Sequence, residues 1–268
     1  MASIAPRGEP DPKYVRILRG VHDLVELRRI EAAFQTEISL RKKILELSPR
    51  FRQQITLLGG AHCNLGNALE SQSRLDEALA EFEQAIRLLT DNLAINPQDS
   101  TTTLFLRNSR MGRAGTFRRQ SRFQEALTEF NAVRDVSPKN FNAALRTNRA
   151  DCLARVSPAE AVAEAKTIQP NSGDKTYSRI AVVSVFAIAA ENSNDATVIA
   201  DAKANAMKQL KLLESEGGFR LKLNQNRLKV SADLNSLREL PEFKELLARV
   251  PGANEPGTGE TPPDDASQ

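Results

Sequence analysis

An eleven-residue phrase occurs twice in this 268-residue chain at a fixed interval. QSRLDEALAEF spans residues 72–82 and QSRFQEALTEF spans residues 120–130, with eight of the eleven positions identical. The interval reaches further, because Phe34, Phe82 and Phe130 stand 48 residues apart in turn. The segment after Phe34 and the segment after Phe82 each run fifteen residues and close on a polar residue followed by Pro, at Pro49 and Pro97. The segment after Phe130 is shorter and closes at Pro138. Self-similarity at a period of roughly 20–50 residues marks an array in which each copy is one layer. A single copy cannot bury both its faces, so neighbours must stack on it.

Each copy reads as two helices. In the best-defined copy the first covers about residues 50–72 and the second about 75–95. On the second, Leu75, Ala78, Leu79, Phe82, Ile86 and Leu89 recur at three and four, one apolar face of a 3.6-residue period. Asp76, Glu77, Glu81 and Glu83 fall outside that stripe. The small Ala78 and Ala126 let paired helices approach, and the large Phe82 and Phe130 fill the space between layers. The prolines end each second helix, since Pro lacks the N–H and turns the preceding residue away from helix. A degenerate third layer covers Ala143 to Pro170, with Ser157 and Pro158 as a helix start. A further pair is expected over 177–191 and 195–216, closed by Gly217 and Gly218. Ahead of the array, residues 14–27 read as a separate helical segment.

Composition narrows the function classes. A chain 40% hydrophobic and 26% charged is folded rather than disordered, and its net charge of +3 makes too weak a field to name a partner. The most apolar run, IAVVSVFAIAA at 180–190, is too short to span a bilayer and reads as a buried helix, so no membrane association is expected. Residues 1–14 lack the apolar core of a signal peptide, so none is expected. Two distant cysteines, Cys63 and Cys152, suggest a reducing, cytoplasmic setting and read as small buried apolar residues. Neither His22 nor His62 stands at metal-ligand spacing, and no nucleophile, acid–base constellation or glycine-rich phosphate loop is present. The chain therefore reads as non-enzymatic, with no cofactor and no metal. The domain expectation is a disordered 1–12, helical repeats over 13–172, a last hairpin with cap over 173–250, and a disordered acidic tail over 251–268.

The pattern Leu65-Gly66, Leu69, Ala78, Phe82 and Ala85, repeated as Ala114, Phe117, Ala126, Phe130 and Pro138, resembles the tetratricopeptide repeat. Its helices before Pro49 and Pro97 are longer than the family's unit of about 34 residues allows. The resemblance implies an all-α fold: a right-handed α-α superhelix of about four long helical hairpins with a short C-terminal capping helix. The terminal stretch, with Gly218-Phe219, Ser231 to Leu237 and Pro241-Glu242-Phe243, resembles the end of tetratricopeptide regions attached to planctomycete-type bacterial serine/threonine kinases. No kinase motif accompanies it, so a stand-alone relative of that accessory region is implied.

A partner is expected in the groove lined by first helices. The family pattern places Cys63, Asn67 and Glu70 there, then Met111, Gly115, Arg118 and Arg119, then Asn142 and Arg146. Asn67 and Arg146 invite comparison with a carboxylate clamp, although the clamp's lysines are missing. Between 106 and 122 stand Arg107, Arg110, Arg113, Arg118, Arg119 and Arg122 without an acid. One reading is a solvated face countered by Glu77, Glu81 and Glu83. Another is a docking strip for an acidic or phosphorylated peptide, whose groups suit the guanidinium fork. Weak nucleic-acid binding is a third, opposed by the low charge and few aromatics.

Overall fold

A computed structural model describes residues 12–136, 141–169 and 175–251. The expectations for Pro138, for 1–11 and for 252–268 fall outside them. Among the described residues there are eleven α-helices and no strand, so the all-α expectation holds. They are α1 (Pro12–Leu47), α2 (Arg52–Ser71), α3 (Leu75–Ile95), α4 (Ser100–Arg119), α5 (Phe123–Val136) and α6 (Ala143–Val156). There follow α7 (Pro158–Lys166), α8 (Lys175–Asn192), α9 (Ala196–Ser215), α10 (Lys222–Val230) and α11 (Pro241–Ala248). Two compact units divide within α4, between Gly112 and Arg113.

In the first unit, α1, α2 and α3 pack in chain order. α1 is one continuous helix, where the sequence reading separated 14–27 from the segment around Phe34. The physical reason is plain: from Val21 to Leu47 no Gly or Pro interrupts a run of strong helix formers. Phe34 is consequently only half-buried on α1, whereas Phe82 is fully buried on α3. Pro49 and Pro97 each lie two residues beyond the last helical residue of α1 and α3, as expected.

The glycines of α2 are slots for large neighbours. A methyl group at Gly59 would lie 2.6 Å from Leu89 Cγ, at Gly60 2.8 Å from Phe105 Cζ, and at Gly66 2.7 Å from Phe82 Cε1. Against the same Phe82 ring, a methyl at Gly112 would also lie 2.5 Å from Cε1. The ring thus packs directly on the backbone at two glycines, and its full burial contributes about 1.5–3 kcal/mol. A buried polar knot ties the far ends of these helices. Asn92 Nδ2 donates to Thr56 Oγ1 at 2.9 Å, and Thr56 and Thr102 hydroxyls meet at 2.6 Å. Asp99 starts α4 by accepting from the N–H groups of Thr101 and Thr102, both at 3.0 Å.

The repeated phrase builds the same turn twice. Ser73 and Ser121 both sit in the left-handed region, at φ 61° and 59°. In each copy the next N–H reaches back to close the preceding helix, Arg74 to Leu69 O at 3.0 Å and Arg122 to Phe117 O at 2.8 Å. This six-to-one bond is the Schellman ending, usually built on Gly. Each copy then carries an arginine–glutamate pair across the next turn, Arg74 with Glu77 and Arg122 with Glu125. Those guanidinium bonds hold both carboxyls below the usual glutamate range.

In the second unit α6 and α7 form one hairpin and α8 and α9 another, with α6 against α8 and α7 against α9. Ala126, Ala161, Ala202 and Ala206 are fully buried. α8 is enclosed from Ile180 to Ala190 except near Ala181 and Ser184, which explains the apolar run. α7 begins at Pro158 after Ser157, as expected, but the Ser157 hydroxyl donates to Glu160 Oε1 at 2.9 Å rather than capping a backbone N–H. Gly217, at φ 77°, ends α9 as the sequence implies. The closing segment folds as two 3₁₀ turns, Gly218–Arg220 and Ala232–Leu237, around α10. The Ser236 hydroxyl donates to Ala187 O at 2.6 Å, fastening this segment to α8. α11 then buries Phe243 and Leu246.

Candidate partner-binding face

Once α2 is packed between α1 and α3, few of its side chains remain at the surface. Gln53, Asn64, Asn67 and Ser71 are exposed, at spacings of eleven, three and four that put them along one line. Cys63, one turn from Asn67, is not on that line. It is buried, desolvation raises its thiol, and Ser109 bonds it. Its expected place in a groove is therefore corrected: the small thiol is a packing residue. Cys152 is buried likewise, and burial pushes its thiol up to about 12. Thiols so held are protonated at neutral pH and poor nucleophiles.

Glu81, outside the apolar stripe of α3 and one of the expected counter-charges of the basic strip, instead turns to His62, whose Nδ1 lies 2.5 Å from Glu81 Oε2. The same device recurs. Three residues after the buried Ala126, Glu129 accepts from Arg113 Nη2 at 2.5 Å. Three after Ala161, Glu164 pairs with Arg149. Three after Ala206, Gln209 accepts from Arg179 Nη1 at 2.5 Å, while Glu216 takes the other nitrogens of that guanidinium. In each hairpin an acceptor on the second helix thus clasps a base on the helix before it. The signal was present in the repeated phrase, as the Glu that precedes each Phe.

This device and its neighbours occupy much of the basic strip. In the second unit Arg118 Nη2 donates to Asp151 Oδ2 at 3.0 Å and Nη1 to Asn148 Oδ1 at 3.3 Å. Arg155 joins the same Asp151 at 2.6 Å. Arg122 stacks on Phe117, 4.4 Å from the ring centroid, besides pairing with Glu125. Arg146 is directed to Thr167, whose hydroxyl and carbonyl accept from it. Arg119 is half-buried. In the first unit Arg107 donates to the neighbouring Asn108, and Arg110 is half-buried. The expected counter-charges Glu77 and Glu81 are engaged elsewhere, by Arg74 and His62. Asn142, expected in the groove, instead caps α6 by accepting from the Leu145 N–H at 3.1 Å.

The length and order of α2 and α3, the slot at Gly66, the buried Ala78 and Phe82, and the left-handed turn between the helices define one structural unit. Residues 59–92 match the tetratricopeptide repeat. Such repeats are protein–protein interaction modules in general, and the match lies within the α2–α3 hairpin. A comparison with curated proteins gave no match. Among the described residues no helix is long and apolar enough to cross a membrane, and no group of three metal-ligating side chains gathers.

Proposed function

We propose that this chain is a non-enzymatic scaffold that holds a peptide or protein partner against its first helices. The observation that carries this reading is the polar line of Asn64, Asn67 and Ser71, left exposed on a helix whose other faces are buried within a matched tetratricopeptide hairpin. Carboxamides and hydroxyls suit an extended or helical peptide, whose backbone offers both donors and acceptors. In the second unit Arg118 and Arg119 are the proposed contacts, and in the first Arg107 and Arg110. An acidic or phosphorylated partner group would compete with Asp151 for Arg118. Arg146 is proposed as a lesser contact because Thr167 already satisfies it. Arginines already answered by carboxylates attract nucleic acid less, which favours a protein partner.

The finer reading is a regulatory module acting with a bacterial serine/threonine kinase in the cytoplasm. It rests on the terminal segment's resemblance to kinase-linked arrays and on the formation of a closing helix at Pro241. Affinity purification from the native host, with mass spectrometry, tests both. A partner retained by the wild-type chain and lost by Asn64→Arg/Asn67→Arg supports the scaffold, and its being a kinase supports the regulatory module. Equal recovery by both chains removes the α2 line from the account.

A further inference from the structure

α9 has a second working surface that the hairpin does not use. One face buries Ala202, Ala206, Leu210 and Leu213. Beside it, α9 and the start of α11 enclose a groove of about 650 Å³, within the range of roughly 300–1,000 Å³ usual for ligand pockets. Its floor is apolar, made by Met207, Leu212 and Leu240. Its rim is basic, made by Lys203, Lys208 and Lys211. Leu212 is exposed there, a large apolar side chain held in water between charges.

The rim's charge is nearly uncompensated. Glu242 is the acid in the lining, and it answers Lys211 at 3.0 Å. Both side chains of that pair are about 62–63% exposed, so water screens it and a competing carboxylate can replace Glu242 cheaply. Lys203 and Lys208 have no ion-pair partner among the described residues. An apolar floor with a net positive rim complements one chemistry: a bulky apolar side chain flanked by carboxylates.

We propose that the α9–α11 groove is a docking site for an acidic amphipathic segment of a partner protein, its leucine- or phenylalanine-like residue seated on Met207, Leu212 and Leu240 and its Asp or Glu side chains on Lys203 and Lys208. The site lies on the second helix of the last hairpin and does not rest on the α2 reading above. The chain's own residues 252–268 carry four acids and no base, but no large apolar side chain, so they match the rim and not the floor.

The test uses the full chain and a fluorescein-labelled synthetic helix with Leu at three- and four-residue spacing and Glu between, read by anisotropy. Two control peptides replace every Glu by Gln, or every Leu by Ser. The proposal expects saturable binding that weakens at least about tenfold with either control peptide. It expects a similar loss in Lys203→Glu/Lys208→Glu and in Leu212→Ser, whose surface positions leave the helical circular dichroism unchanged, and binding that falls with salt. Equal binding of the Glu and Gln peptides, or wild-type affinity in both variants, overturns it. A chain with Glu255, Glu260, Asp264 and Asp265 changed to amides provides the last arm. If its affinity for the peptide rises by about tenfold or more, the tail occupies the groove and the partner assignment falls.

Discussion

Replacing Gly112 by Ala should destabilise the chain, against the ordinary rule for helices. In an exposed helix the change stabilises by about 1 kcal/mol, because Ala is the better helix former. At Gly112 the new methyl would stand 2.5 Å from Phe82 Cε1, where carbon atoms rest at about 3.5–4.0 Å. The ring must retreat by about 1 Å, and room is short: Phe82 is fully buried, and the α2 backbone at Gly66 approaches the same ring so closely that a methyl there would also clash. Overpacking of this kind costs about 1–3 kcal/mol, and the blocked retreat puts this site at the upper end. Set against the gain in helix propensity, the net loss is about 2 kcal/mol, or a fall of about 4–8 °C in Tm for a chain of this size. Urea and thermal unfolding of the full chain, followed by circular dichroism, measure it. Phe82→Leu should remove the obstacle, so the double variant Phe82→Leu/Gly112→Ala should lose about 1–2 kcal/mol less than the sum of the single variants. A Gly112→Ala chain more stable than wild type, or strict additivity in the cycle, would refute the tight fit of Phe82 against the two glycines.

Other positions give sharper or opposite signs. Ser73→Gly and Ser121→Gly should each stabilise by about 1 kcal/mol in urea unfolding, because an L-residue is strained in the left-handed region. Arg149→Leu should cost about 3 kcal/mol by leaving Glu164 enclosed without its cation, whereas Arg149→Leu/Glu164→Leu should be close to neutral in the same assay. Asp99 accepts from Thr102 and Thr101, and those bonds hold its carboxyl below the usual range. Its folded pKa being the lower one, its contribution is fully present above the unfolded value of about 3.9 and is lost as pH falls through the folded value. Asp99→Ala should therefore cost about 1 kcal/mol at neutral pH and less as acid unfolding begins, which a pH series of urea midpoints resolves.

How far the sequence could be read follows from which signals are local. The bounds of α3 follow from an uninterrupted apolar stripe between a turn and Asn96-Pro97. The turn at Ser73 was located by the repeat, yet its left-handed backbone was hidden, because Ser stands where Gly would have announced it. α1 was divided in error because the repeat was extended to Phe34, while the helix formers between Leu27 and Phe34 argued for continuity. Of the candidate site, Asn67 was legible from its place in the repeat and is exposed. Arg146 and Asn142 were not, since what engages them lies across a turn or at a helix start. The clasp of His62 with Glu81 spans 19 residues, beyond the reach of any helix-face rule. Its trace was the Glu retained before each Phe.

The two copies of the phrase fold into the same helix–turn–helix, and backbone chemical shifts of the full chain read this residue by residue. Helical shifts are expected through 52–71 and 75–95 and again through 100–119 and 123–136, broken in each pair by one left-handed residue, at Ser73 and Ser121. Helical shifts running unbroken through either serine, or extended shifts in either copy, would contradict it.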